Sequence, residues 1–509
     1  MNILMLNPPF KRRFSRSSRS PGVAKGGTIY YPLWLAYATG VLEEAGFSVR
    51  LMDAPAEAWT VTDVLDRIGD FRPRLIVLDT STPSIDNDVR VGMTIKDRYP
   101  GSSLVLVGTH VSALPEETLR IHPKIDAVAR REYDYTLRDL ARALEDGHSF
   151  QTVLGLSFRE RDGIVHNPDR PFIENLDDLP FVPKVYKKHL NIESYFFAAA
   201  HHPLVMTITG RGCPHRCAFC LYPQTFHGRR YRRRSPENIV EEFEWVVHNL
   251  PRVKEIGIED DTFTADRSRA RKISGMLAEK NMKLKWFCNV RPDLDLDTLR
   301  LMKQAGCRLV TVGFESGSQD MLDRMNKGLR LDGIRQFADN ARKAKILVHG
   351  CIVIGYPGET RETIQKSLDF ARQLNCDSMQ FYPLYVYPGT EAFERAKADG
   401  HLATGDYSKW VTEEGYHSCV LNLPGLSAEE LLRISDKAVK SYHFRPAYIG
   451  MKLKQSLVHP GEGRRTAKSA LAYAKTLWRS LAHRKPNPQK QFASAAESGL
   501  ERSAAERRG

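Results

Sequence analysis

Gly212-Cys213-Pro214-His215-Arg216-Cys217-Ala218-Phe219-Cys220 is the stretch that decides how this chain is read. Thiolates are the usual ligands of iron–sulfur cubes, and four of them close the cluster. This CxxxCxxC loop supplies three. The other cysteines, Cys288, Cys307, Cys351, Cys376 and Cys419, stand singly in apolar or turn-like surroundings, so none reads as a fourth ligand. A cube held this way keeps one iron open to bind and activate a small molecule. Zinc is the competing metal, but structural zinc sites are closed by four ligands, normally as two paired half-sites. Only one half-site exists here, although His215 and His227 could complete it, and chance spacing of structural cysteines is the remaining alternative.

Downstream of the loop, strand-like and helix-like segments alternate, the pattern of βα units around a parallel sheet. Strands are expected at Val205–Thr209, Glu255–Glu259, Lys285–Val290, Leu309–Phe314, Val348–Ile354 and Ser378–Tyr382, and helices near Pro236–Asn249, Asp266–Lys280, Leu296–Ala305, Leu331–Lys343 and Glu362–Leu374. Six such units make an open partial barrel, whose reactive groups belong at the carboxyl ends of the strands. The polar motifs fall there: the cysteine loop, Glu259-Asp-Asp-Thr-Phe263, Cys288-Asn-Val-Arg291, Gly313-Phe-Glu-Ser-Gly-Ser318 and Gly355-Tyr-Pro-Gly-Glu359. Each has a plainer reading: Gly355-Tyr-Pro-Gly358 as a turn, Glu315 as a surface carboxylate.

With Phe219 in its aromatic position, the loop resembles the CxxxCx(aromatic)C signature of the radical S-adenosylmethionine (SAM) superfamily. The resemblance implies a [4Fe–4S] cluster on Cys213, Cys217 and Cys220, whose open iron chelates SAM and whose electron cleaves it to a 5′-deoxyadenosyl radical. It further implies SAM contacts from Asp260 and Asp261 (amino group), Glu315 and Ser316 (ribose or methionine) and the Ile352–Gly355 backbone (adenine). Arg291 could pair with the SAM carboxylate through a bidentate fork. A low-potential electron donor such as flavodoxin or ferredoxin is implied as well.

The first part of the chain reads as a five-stranded, doubly wound, Rossmann-like α/β domain. Its strands are expected at Met1–Leu6, Val49–Met52, Leu75–Asp79, Leu104–Gly108 and Ala127–Ala129, with helices near Leu33–Ala45, Val61–Ile68, Asp86–Tyr99 and Asp134–Leu144. Such sheets bind ligands beyond the carboxyl ends of their strands. The loops there are Asp79-Thr80-Ser81-Thr82-Pro83, Gly108-Thr109-His110-Val111-Ser112 and Arg131-Glu-Tyr-Asp-Tyr135, small and polar enough for backbone amides to approach a nucleotide tail. Ahead of a radical SAM barrel, and with the run Gly108–Glu116, this domain is similar to that of the cobalamin-binding radical SAM enzymes. The resemblance implies cobalamin at Thr80, Ser81, Thr82, Gly108, Thr109 and His110. No Asp-x-His-x-x-Gly follows the first strand, so the lower face of cobalt is expected to lack a histidine; a domain that binds nothing is the alternative. No cysteine precedes Cys213, which excludes a second cluster in the N-terminal domain and with it the methylthiotransferases.

At 509 residues and 42% hydrophobic residues, several domains are expected. We expect the domain at 1–148, a connector at 149–200 with a hairpin around Asp162-Gly163, the barrel at 201–425, and a helical cap and basic tail at 426–509, with Ser427–Phe444 as a cap helix. Unpaired cysteines and the absence of a signal peptide before Met1 point to a reducing cytoplasm. No window reaches the roughly eighteen apolar residues of a spanning helix.

Of the net charge of +14, nine units fall in the last 59 residues, where thirteen Lys/Arg face four Glu. A solvated tail is the ordinary meaning of such a run. Ala467–Leu481, with Leu471, Tyr473, Leu477 and Trp478, could instead form a basic amphipathic helix for peripheral contact with an anionic membrane. Arg229-Arg-Tyr-Arg-Arg-Arg234 is too short to indicate nucleic acid and by charge could help hold SAM, the cobalamin phosphate or an anionic substrate.

The reaction most consistent with these parts is methylation of an unactivated carbon of a small-molecule or lipid-linked substrate. By resemblance, one SAM methylates cobalamin, a second yields the radical that takes a hydrogen from the substrate, and the substrate radical then receives the methyl group. A cobalamin-dependent oxidoreductase or cyclase without methyl transfer, with Tyr382, Tyr385 and Tyr387 shaping the pocket or donating hydrogen, and a non-catalytic iron–sulfur scaffold or regulator are the alternatives.

Overall fold

The structure is a computed structural model that describes residues 1–161 and 163–482, the side chains of 475–482 excepted. Strand β1 (Asn2–Asn7) lies between β2 (Ser48–Asp53) and β3 (Leu75–Asp79), and the sheet continues through β4 (Ser103–Val107) and β5 (Ala127–Ala129), all parallel. Every residue of β3 and β5 is buried, as expected where helices cover both faces. Alternate residues feed two cores. Leu4, Leu6, Ile76, Leu78, Leu104 and Leu106 pack on one side, while Ile3, Met5, Leu75, Val77, Val105 and Val107 join a core that runs unbroken into the second domain.

The sheet has seven strands rather than the expected five. Strands β6 (Leu156–Glu160) and β7 (Gly163–His166) form the hairpin assigned to the connector, and β6 pairs antiparallel with β5, burying Leu156 and Phe158. Gly108-Thr-His-Val-Ser is also not the open loop expected: a short helix, Thr109–Ala113, starts there and a second, Pro115–Ile121, follows.

Strands β8 (Leu204–Thr207), β9 (Gly210–Arg211), β10 (Arg232–Arg233), β11 (Glu255–Ile258), β12 (Lys285–Val290), β13 (Cys307–Glu315), β14 (Leu347–Ile354) and β15 (Ser378–Pro383) follow. The order β15-β14-β13-β12-β11-β8 makes the six-stranded parallel sheet of the partial barrel, and β9 and β10 form a two-residue antiparallel ladder above it. Helices Pro236–Asn249, Arg267–Glu279, Leu296–Gln304, Leu331–Lys343 and Arg361–Leu374 separate the strands within a residue of expectation at each end. After the barrel, Ala428–His443 packs on β15, and Pro446–Val458 and Pro460–Ala482 close the amino-terminal end of the barrel. There Arg308, at the start of β13, pairs with Glu255 of β11 (2.8 Å) and with Glu462 (2.9 Å).

Two features lock the domains together. One is a buried ion cluster: Glu132 and Asp134, after β5, meet Arg232 (2.6 Å) and Arg211 (2.7 Å) of the small ladder, with His227 3.1 Å from Glu132. The Arg131–Tyr135 loop is therefore docked on the barrel and not free for a nucleotide tail. The other is the long segment 8–32 between β1 and its helix. Ser17 Oγ bonds Asp79 (3.4 Å), the Ser17 carbonyl accepts from Tyr222 Oη (2.8 Å), and Ser20 Oγ lies 3.2 Å from Tyr387 Oη and 3.3 Å from His417.

Candidate active site

Gly212 introduces the cysteine loop at φ +86°, and an added Cβ there would lie 2.2 Å from the Arg230 carbonyl oxygen, so only glycine admits this approach. The loop is pinned from several sides: Cys213 N–H donates to Gly228 O (3.3 Å), Ala218 N–H to Met325 O (3.1 Å), and Gln224 Nε2 to the carbonyls of Ala218 (3.1 Å) and Cys220 (2.8 Å). Cys213 and Cys217 are buried and Cys220 half-buried. Burial, and Asp261 after it, push the thiols of Cys213 and Cys220 above their ordinary pKa, so these sulfurs need the positive charge of bound iron to stand as thiolates.

Zinc ligands must converge on one ion at about 2.0–2.3 Å, and among the described residues no three His, Cys, Asp or Glu side chains gather for a single metal ion. His227 Nδ1 lies 3.1 Å from Glu132 Oε1, and burial lowers the His215 pKa to about 4.

Glu259, Asp260 and Asp261 follow β11, and the structure separates the two aspartates sharply. The Asp260 carboxylate accepts from Thr209 N–H (2.5 Å), Thr209 Oγ1 (2.6 Å) and Gly210 N–H (3.1 Å), bracing the turn that leads into the cysteine loop. The side chain of Asp260 is thus engaged by the backbone of that turn, while the sequence places the residue in the segment expected to contact the SAM amino group. Both oxygens of Asp261 are buried without a hydrogen-bond partner. A buried carboxylate left so costs free energy unless a cation meets it, and among the described residues the one cation within ion-pair distance is Arg19, 3.6 Å away.

Arg19 had no signal in the sequence. It reaches across from segment 8–32 to Glu259 Oε2 (3.1 Å), Glu259 O (3.0 Å) and Asp260 O (2.8 Å). Asn289 of β12 meets the same carbonyl of Asp260 at 3.2 Å.

At the end of β13 the register against β14 shifts between Gly313 and Glu315, and Glu315 takes a left-handed φ of +66°. A bulge of this kind re-aims a side chain at strain cost. The carboxylate folds back over Gly313, where an added Cβ would lie 2.1 Å from Glu315 Oε1, and meets Lys327 Nζ at 2.6 Å while Oε2 stays unpartnered. Ser316 bonds Ser367 Oγ (3.0 Å) and accepts from Ser318 N–H (3.1 Å), bonds that brace the turn after β13. Arg291 Nη2 donates to the carbonyls of Lys327 (2.6 Å) and Gly328 (3.3 Å), so the guanidinium is partly used; Nε has no hydrogen-bond partner and lies 3.9 Å from Asp293. Ile352 is buried in β14; Gly355, at φ +91°, donates its N–H to Glu359. Phe219 lies edge-on to Tyr356 at 6.4 Å.

The basic run 229–234 is consumed internally, contrary to its expected anion-holding role. Arg229 bonds His215 O, and Arg230, Arg232, Arg233 and Arg234 pair with Glu174, Glu132, Asp266 and Glu242. Tyr385 and Tyr387 are packing residues against Trp410 and His417, whereas Tyr382 is half-buried.

In the N-terminal domain, Thr80 Oγ1 donates to Val107 O (2.7 Å), Ser81 Oγ meets Ser84 Oγ (2.8 Å), and Thr82 Oγ1 lies 3.2 Å from His110 Nδ1. An added Cβ on Gly108 would sit 2.4 Å from Thr80 O, so the two strand-end loops touch backbone to backbone; Thr109 is half-buried beside them. His110, edge-on to Tyr407 and held neutral by burial that lowers its pKa to about 3, is a packed histidine in the first turn of the Thr109–Ala113 helix. This lip suits a cofactor pressed on it by shape and backbone rather than one held by its hydroxyls. The crevice at β1 and β3 is filled by Arg16, bonded to Asp88 (2.5 Å), Asn7 (2.7 Å) and Pro8 O (2.8 Å).

Comparison with known proteins agrees with both halves. Residues 207–371 match the radical SAM superfamily and residues 19–141 the B12 binding domain. A protein from Pyrococcus horikoshii described as an uncharacterized methyltransferase is 31% identical over 462 residues, covering 91% of this chain and 96% of that one. The cytidylyl-2-hydroxyethylphosphonate methyltransferase of Streptomyces wedmorensis is 26% identical over 469 residues, covering 82% and 86%. The solved radical SAM methyltransferase TsrM from Kitasatospora setae, with cobalamin and a [4Fe–4S] cluster bound, superposes with a TM-score of 0.66 over 88% of this chain and 89% of that one; at 18% identity it shows a shared fold.

Proposed function

Because the chain belongs to the radical SAM superfamily with an N-terminal B12-binding domain, we propose that it is a cobalamin-dependent radical SAM methyltransferase acting on an unactivated carbon of a small-molecule substrate. The observation that carries the reading is a three-thiol loop beside Asp261, a buried carboxylate without a hydrogen-bond donor. In this reading Cys213, Cys217 and Cys220 hold the [4Fe–4S] cluster, Asp261 receives the ammonium of SAM, Glu315 Oε2 faces its hydroxyls, and the lip at Thr80–Thr82 and Gly108–His110 carries cobalamin. When bound, the cluster and SAM supply a hydrogen-abstracting radical and cobalamin supplies the methyl group.

The protein's own part is positioning. The Asp260 brace fixes the turn before the cysteines, the Glu315–Lys327 pair sets a carboxylate over the end of the sheet, and Arg19 neutralises Glu259 until a cationic cosubstrate arrives. Holding reactants in register and keeping water out is the protein's share of such chemistry. A low-potential donor of the flavodoxin or ferredoxin kind is part of this proposal. The expected membrane contact at Ala467–Leu481 falls within a helix, but the side chains of Leu477 and Trp478 lie outside the described residues.

Product analysis under anaerobic reduction with SAM tests the assignment. Release of 5′-deoxyadenosine together with S-adenosylhomocysteine is expected. Deoxyadenosine alone favours the oxidoreductase or cyclase reading, and neither product favours a scaffold.

A further inference from the structure

Among the described residues, six of the nine markedly exposed large apolar side chains fall between Phe444 and Leu471: Phe444, Ile449, Leu453, Leu457, Val458 and Leu471. Within helix Pro446–Val458, Ile449, Leu453 and Leu457 recur every fourth residue and so share one face. Leu453 is 62% and Leu457 84% exposed, far beyond the scattered apolar exposure that any surface carries. The opposite face is satisfied by the body: Tyr448 Oη donates to Asp377 O (2.8 Å), and Lys452 and Gln455 reach the Asp377 carboxylate at 3.5 and 3.2 Å. The helix is therefore seated by one side and presents a bare apolar stripe with the other.

Charge selects the occupant. From Phe444 to Ala474 the chain has six Lys/Arg and one acid, Glu462. That acid is buried between Arg308 (2.9 Å), Arg465 (2.9 Å) and His201 (3.1 Å), so the surface around the stripe shows no carboxylate of this segment. Lys454, Arg464 and Lys468 of this segment are exposed. A second copy of the chain would bring two cationic faces together. An apolar stripe bordered by Lys and Arg suits the interface of an anionic bilayer, where side chains enter the acyl boundary and the cations meet headgroups.

We propose that the helix Pro446–Val458, with Phe444 and Leu471, docks this protein on an anionic lipid surface. Asp377, Glu255 and Arg308 all lie at the starts of barrel strands, so the docking face is at the end of the barrel away from the cysteine loop. The surface anchors the enzyme and leaves the active-site mouth turned from the bilayer. The proposal moves the membrane contact from Ala467–Leu481, of which Leu471 is kept, to a stripe on the preceding helix, and it stands or falls separately from methyl transfer.

The test is cosedimentation of the full-length protein with vesicles of equal phosphatidylglycerol and phosphatidylcholine, against phosphatidylcholine alone. Strong binding to the first and at least tenfold weaker binding to the second are expected. Leu453→Glu/Leu457→Glu should weaken binding at least tenfold with circular dichroism and deoxyadenosine release unchanged, while a chain ending at residue 482 should bind as the full chain does. Failure of the full chain to bind anionic vesicles, or equal binding by the double variant, overturns the proposal. So does loss of binding on truncation, which assigns the contact to residues 483–509. A dimer in sedimentation velocity that the double variant converts to monomer, without vesicle binding, would assign the stripe to self-association.

Discussion

Neighbouring aspartates of identical chemistry are expected to fail in opposite ways. Asp261→Asn removes a buried charge that no hydrogen bond supports, and Arg19, its ion-pair neighbour at 3.6 Å, keeps Glu259 as a partner at 3.1 Å, so the folded state should lose less than about 1 kcal/mol. The same change takes away the partner proposed for the SAM ammonium; a hydrogen bond to a charged group contributes about 1.5–3 kcal/mol, a rise in Kd of roughly 10- to 150-fold. Asp260→Ala strips acceptors from Thr209 N–H, Thr209 Oγ1 and Gly210 N–H. Leaving such buried donors unsatisfied costs about 1–3 kcal/mol each, so unfolding should shift by at least ~2 kcal/mol. Isothermal titration with SAM on anaerobically reconstituted protein measures the first effect, and thermal or guanidinium unfolding the second. If Asp261→Asn bound SAM as tightly as wild type, or Asp260→Ala unfolded like wild type, the division of labour argued from the hydrogen bonds would be wrong.

Cys217→Ala should lower cluster iron and abolish deoxyadenosine release, as should stripping iron from the wild type with a chelator; retained release by the variant contradicts the three-thiol assignment. Burial raises the Glu359 pKa from 4.5 to about 7. A raised carboxyl favours folding fully below pH 4.5, and that contribution is lost as pH climbs through 7, about 3 kcal/mol in all. Glu359→Gln should therefore match wild type in acid and exceed it in stability at pH 8, with no crossover speaking against the buried carboxyl. Burial opposes the Glu132 charge, but bonds from His227 and Arg232 prevail and hold its pKa down to about 2. Its contribution is present above pH 4.5 and lost as pH falls toward 2, and Glu132→Gln, which leaves Arg232 buried beside a neutral amide, should cost about 3–5 kcal/mol in denaturant unfolding; a change under 1 kcal/mol would mean the cluster does not hold the domains.

The barrel was legible because its signal is local. Strand Lys285–Val290 and helices Pro236–Asn249 and Leu331–Lys343 carry their hydrophobic periodicity within their own span, and they occur with the expected bounds. The hairpin β6–β7 was legible as a hairpin, but its pairing with β5 is a long-range choice that no window contains. The same holds for the site. Cys213, Cys217 and Cys220 announce themselves by spacing, whereas Arg19 meets Glu259 across 240 residues of chain, and nothing about Ser-Ser-Arg-Ser foretells it. Asp260 and Asp261 are equivalent on paper; only backbone direction decides which one is used up by Thr209 and which is left waiting. The exposed stripe of Pro446–Val458 was hidden for a related reason, since a helix's apolar residues read as core until the described residues around it are seen to leave them uncovered.

The segment between β1 and the first helix works like lacing across a seam. Residues 17, 19 and 20 are fastened in turn to the floor of one domain and to three parts of the other, so swinging the halves apart as rigid shells would snap every tie at once. A joint tied in this way resists opening by the sum of its bonds rather than by any one of them, and the susceptibility of residues 8–32 to a protease, with and without SAM, gauges how firmly the lacing holds.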